Sequence, residues 1–105
     1  MKRTVIINDF LRKRFIGGKV LLTPGVKCLD DVILGKVMNA VQQFDDFTGD
    51  NDPYGEHDFG MFKIEGIRYF WKIDYYDSAF ETHSLDKSNP DVTQRVLTIM
   101  TADEY

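Results

Sequence analysis

The chain has 105 residues, 43% of them hydrophobic and 13% aromatic, enough to build one core and too few for two. Its 13 basic and 17 acidic side chains leave a formal charge of −4, so the chain as a whole is no polycation built for nucleic acid. No apolar run approaches the ~18 residues of a membrane span, no signal leader is expected, and the single Cys28 excludes an internal disulfide and suits a reducing compartment. One cytoplasmic domain over residues 1–105 is expected.

In Val5–Phe15, Ile7, Phe10, Leu11 and Phe15 recur at helical spacing, so a short amphipathic helix is expected, ended by Gly17-Gly18. Residues 19–23 read as a strand closed by the turn dipeptide Pro24-Gly25. A second helix follows, with Ile33, Leu34, Val37, Met38, Val41 and Phe44 as one stripe and Asp30 or Asp31 as its N-cap. From Asp45 to Asp58 the period vanishes and Asp, Asn, Gly and Pro accumulate, which predicts a loop.

Ile67, Tyr69, Trp71, Ile73 and Tyr75 alternate with Arg68, Phe70, Lys72, Asp74 and Tyr76, the pattern of a half-buried antiparallel strand. Residues 59–64 pair with it through a two-residue turn at Glu65-Gly66. Counting back from that turn sets Ile64 opposite Ile67, Phe62 opposite Tyr69 and Gly60 opposite Trp71 on the core side. Phe59 then faces Lys72 and His57 faces Asp74 on the other side. Residues 77–91 form a second polar loop, and 95–100 form a last strand, although the apolar run within 92–101 also reads as a helix. The expected fold is α+β: two helices packed on one face of a small antiparallel sheet with a central β-hairpin.

The charges are segregated. Residues 1–19 carry a balance of +5 and residues 20–105 a balance of −9. Between Lys36 and Lys63 there is no Lys or Arg, while Asp45, Asp46, Asp50, Asp52, Glu56 and Asp58 fall in that gap. Such a segment repels phosphate and attracts a basic surface or a metal ion. Asp50, Asp52 and Gly55 match EF-hand loop positions one, three and six, but Tyr54 and Met61 stand where ligands five and twelve belong, so no EF-hand is encoded. A metal set of Asp50, Asp52, His57 and Asp58 is chemically coherent, as is a metal-free His57 general base oriented by Asp74. Neither has a placed nucleophile or a paired-histidine motif, and zinc on Cys28, His57 and His83 would need three distant segments to meet. The simpler reading is that the Asp and Asn side chains bond their own turns and that His57 clips the loop to the sheet.

The stretches Phe44-Asp45, Phe47-Thr48 and Asp50-Asn51-Asp52-Pro53-Tyr54-Gly55-Glu56-His57-Asp58-Phe59-Gly60 resemble the signature of a bacterial family, domain of unknown function 3768. Gly17-Gly18-Lys19-Val20, 22–26, 70–77, 95–100 and Glu104-Tyr105 extend the resemblance over nearly the whole chain. The resemblance implies no catalytic residue. It implies a mobile-element setting and, by analogy alone, a host-interaction or counter-defence role against CRISPR or restriction systems.

The expected function is therefore a small acidic protein-interaction module without cofactor, preferred over an enzyme. Its contact surface is expected at Asp46, Asp50, Asp52, Glu56, His57, Asp58, Lys72 and Asp74. The expected partner is a protein with a basic surface, such as a nucleic-acid-binding host protein; direct nucleic-acid or membrane binding is not expected. The alternative is a metal-assisted hydrolase on residues 50–58 with Asp74. Oligomeric state is not readable from the sequence.

Overall fold

The computed structural model describes residues 2–105. Its elements are α1 (Arg3–Arg14), β1 (Lys19–Leu22), α2 (Pro24–Lys27), α3 (Asp31–Gln43), β2 (Phe59–Ile64), β3 (Ile67–Tyr76), β4 (Gln94–Thr101) and a closing 3-10 turn (Ala102–Glu104). The fold is α+β. The sheet runs β1-β4-β3-β2.

The hairpin has the register that the turn dictates, with Ile64 opposite Ile67, Phe62 opposite Tyr69, Gly60 opposite Trp71 and Phe59 opposite Lys72. Glu65 (φ 50°) and Gly66 (φ 81°) both occupy the left-handed region, as a type I′ turn requires. The expected stripe of α3 also holds: Val37, Val41 and Phe44 are buried and Ile33, Leu34 and Met38 pack against the core. Asp30 is the N-cap, its carboxylate accepting the Ile33 amide at 2.9 Å. Leu11, Val26 and the α3 stripe close over Tyr69, Trp71, Ile73, Leu97 and Ile99, so the helices cover one sheet face and Trp71 is wholly buried. Ile67, beside the turn, lies beyond their reach and is 54% exposed.

Three expectations are corrected and one alternative is resolved. The sheet is mixed, because β1 runs parallel to β4 (Lys19 beside Val96 through Leu22 beside Ile99) while β3 pairs with β4 antiparallel. Residues 94–101 form the expected last strand, not the alternative helix, and burial on both faces accounts for an apolar run interrupted only by Thr98. Pro24-Gly25 opens a third, one-turn helix instead of a simple turn, Pro24 filling a first-turn position where no amide partner is needed. Finally, α1 ends one residue past Arg14, with Phe15 (φ 54°) as a left-handed cap. It buries Thr4, Val5, Asn8, Leu11 and Arg12 and leaves Phe10 49% exposed. Its inward stripe is half polar because it meets hydrogen-bonding partners.

Candidate functional site

The C-terminal half of α1, the end of α3 and the loop 45–58 surround a cleft of about 490 Å³, with Asp9, Arg12, Lys13, Gln42, Asp45 and His57 among its walls. The loop is built by its own polar side chains. The Thr48 amide donates to Asn51 Oδ1 (2.9 Å) and Asn51 Nδ2 donates to the Asp46 carbonyl (2.8 Å), which fixes the first turn. Asp52 folds inward, 6% exposed, and its Oδ1 accepts the amides of Glu56 (3.0 Å) and His57 (3.2 Å). Gly55 and His57 take positive φ (63° and 55°), so the backbone turns out of strand geometry one residue before Asp58. The Asp58 carbonyl then accepts the Ile73 amide at 2.8 Å and the hairpin ladder begins at Phe59.

That turn overrides the expected pairing of His57 with Asp74. The His57 ring stacks on Phe47 (centroids 3.8 Å apart, planes 3° apart). Its Nδ1 lies 3.0 Å from Asp9 Oδ1 and its Nε2 lies 3.8 Å from Asp52 Oδ2. Asp74 instead pairs with Lys72 at 3.1 Å. Both alternate along β3 with Trp71 and Ile73, and so belong to the sheet face away from the helices.

Arg12 organises the cleft floor. Only 1% exposed, it donates from Nη2 to Asp9 (3.3 Å) and from Nη1 to the Val41 (3.0 Å) and Gln42 (3.3 Å) carbonyls. It thus supplies the cationic end-cap that α3 lacks in its own sequence. Its guanidinium lies 5.4 Å from both the Phe47 and the Trp71 ring centres. Burial holds its pKa below the ordinary value, opposed by Asp9.

Behind the cleft a second polar network ties α1, the loop and the sheet together. Asn8 Nδ2 donates to Tyr75 Oη (2.7 Å) and to the Glu56 carbonyl (3.0 Å), while Asn8 Oδ1 accepts Arg95 Nε (2.8 Å). Tyr75 donates to Asp58 Oδ2 (3.0 Å), Arg95 donates to the Lys87 carbonyl, and Lys87 pairs with Glu56 at 2.6 Å. Burial raises the Asp58 pKa, opposed by the Tyr75 hydroxyl. Burial and the neighbouring Asp58 raise the Tyr75 pKa.

The expected site residues therefore divide. Asp46 and Asp50 are exposed, as is Asp45 beside them. Asp52, Glu56, His57 and Asp58 turn inward to hold the loop. Lys72 and Asp74 lie elsewhere. The expected metal donors do not converge: Asp58 is on Tyr75, Asp50 is out in solvent, and among the described residues no three His, Cys, Asp or Glu side chains are placed to hold an ion. Sequence reasoning missed Asn8, Asp9, Arg12, Tyr75, Lys87 and Arg95. The i, i+4 pair Asn8 and Arg12, on the same helical side as Val5 and Leu11, was the one available signal.

The family described as "Protein of unknown function (DUF3768)" matches residues 22–104, and the chain belongs to that family. No curated protein and no solved structure matches it. The matched stretch holds the acidic loop and the hairpin, whereas α1, which supplies Asn8, Asp9 and Arg12, precedes it. Among the described residues no helix is long and apolar enough to cross a membrane.

Proposed function

We propose that this domain is a protein-interaction module whose acidic loop docks on a basic surface of a protein partner. One observation carries the reading: the loop's six carboxylates are sorted by role. Asp52, Glu56 and Asp58 bind the loop's own amides, Lys87 and Tyr75. Asp45, Asp46 and Asp50 stand exposed, and among the described residues none of the three has an ion-pair partner. A loop ordered in advance loses little conformational freedom on docking, and its uncompensated charge steers a basic partner inward. Nucleic-acid-binding proteins offer the densest positive surfaces. A counter-defence inhibitor carried on a mobile element, covering the nucleic-acid groove of a CRISPR or restriction protein, would work in this way.

The test is capture from a bacterial host with the wild-type domain and with the triple variant Asp45→Asn, Asp46→Asn, Asp50→Asn, followed by stopped-flow association with the captured protein. The expected result is that the triple variant associates roughly tenfold more slowly or worse at low salt, and that added salt erases the difference. An association rate indifferent to both salt and the three substitutions would place the contact surface elsewhere.

A further inference from the structure

The outer side of α1 is a second charged surface, of opposite sign. Thr4, Val5, Asn8, Leu11 and Arg12 point inward, so at 100° per residue the ridge pointing away is Arg3, Ile6, Phe10 and Lys13, with Arg14 beside them. Ile6 and Phe10 are 55% and 49% exposed, and the Arg14 guanidinium lies 5.7 Å from the centre of the Phe10 ring. Asp9 is the one carboxylate in residues 1–19, and it is turned onto Arg12 and His57. Among the described residues Arg3, Lys13 and Arg14 form no ion pair.

The two surfaces are neighbours, because Lys13 and Asp45 line the same cleft. Adjacent patches of opposite sign are self-complementary under a two-fold rotation: each ridge meets the other copy's loop, and the two contacts are identical. We infer that the α1 ridge docks on the acidic loop of a second copy of this chain, Lys13 and Arg14 against Asp45 and Asp46, with Phe10 supplying apolar contact near the axis. This uses the same carboxylates as the proposed partner and so rests on the loop being a contact surface; self-association and partner binding then exclude each other. A membrane fits the ridge less well, since two apolar side chains on a 12-residue helix bury little area. Nucleic acid fits less well because the bordering Asp45 and Asp46 repel phosphate.

Sedimentation of the purified chain over a range of concentrations, at low and high salt, reads the dimer directly. The wild type should form dimers that dissociate on adding salt. Lys13→Glu with Arg14→Glu, and separately Asp45→Lys with Asp46→Lys, should each weaken dimerisation roughly tenfold or more. All four side chains are at the surface, and circular dichroism checks that each variant is folded. Mixing the two variants restores opposite charges at both contacts, so the mixture should recover a salt-sensitive heterodimer. A wild type that is monomeric throughout, or a mixture that stays monomeric, overturns the inference, as does a monomer that binds anionic vesicles or nucleic acid through this ridge. Partner capture that depends on Asp45, Asp46 and Asp50 would survive that outcome, which separates failure here from failure of the loop reading.

Discussion

A methyl group added at Gly60 should unsettle the whole core. Gly60 lies opposite Trp71 in the hairpin, and its backbone needs no special angle, since it is not among the residues with positive φ. Alanine is therefore conformationally allowed and would even gain a few tenths of a kcal/mol by restricting the unfolded chain. Sterics oppose it. A Cβ at Gly60 would run into Trp71 Nε1 and come within 2.7 Å of Phe44 Cζ and 2.8 Å of Trp71 Cε2. None of these atoms is the free end of a flexible side chain: Trp71 is wholly buried, and Phe44 packs edge-on to it at 5.5 Å. Overpacking of this kind costs about 2 kcal/mol, which for a domain of this size lowers the melting temperature by roughly 10 °C. The coupling to Trp71 is separately measurable. Among the described residues the indole N–H has no hydrogen-bond partner, so Trp71→Phe forfeits no hydrogen bond and opens space where the new methyl must go. In that background Gly60→Ala should cost about 1 kcal/mol less than in the wild type. Thermal and urea denaturation of the four proteins of this cycle provide the assay. A Gly60→Ala variant as stable as the wild type, or strict additivity with Trp71→Phe, would refute the packing argument.

Two further substitutions test the buried polar groups. Arg12→Met removes the bond to Asp9, the cap on α3 and the stacking on Phe47 and Trp71, and should cost about 3–5 kcal/mol in urea denaturation; a loss under about 1 kcal/mol would mean that methionine packing replaces the network. Asp58→Asn should stabilise the fold at neutral pH. The folded-state pKa of Asp58 is raised by burial, so its favourable contribution is complete only below the ordinary carboxylate range and is lost as pH rises through the folded value. The gain from Asp58→Asn, measured by urea denaturation, should thus be largest at pH 7 and vanish in acid, and a gain that grew in acid would reverse the assignment.

What the sequence disclosed, and what it hid, follows the range of the forces involved. The hairpin register was readable because two residues with positive φ, Glu65 and Gly66, fix the strands' alignment locally. The α3 stripe was readable because its buried side is wholly apolar. The parallel pairing of β1 with β4 was not, since nothing near Lys19–Leu22 specifies a partner near the other end of the chain. The buried side of α1 was misread because Asn8 and Arg12 are polar and find most of their partners far along the chain, at Tyr75, Arg95 and the end of α3. At the candidate site, composition located the acidic loop and His57, but register counting gave His57 the wrong carboxylate. The count assumed that the strand continued, and the backbone turned at Gly55 and His57 first.

The fourth strand in chain order is an inner strand of the sheet. β4 lies between β1, from the beginning of the chain, and β3, and pairs with both. The β2–β3 hairpin can close on its own turn, but the other long edge of β3 has no neighbour until residues 94–101 pair with it. Nor has β1 anything to pair with before then. Completion of the sheet thus depends on contacts between distant parts of the chain, which slows folding. The cleft is lined by residues between Asp9 and His57, but the sheet beneath it is continuous only once β4 has joined β1 to the hairpin.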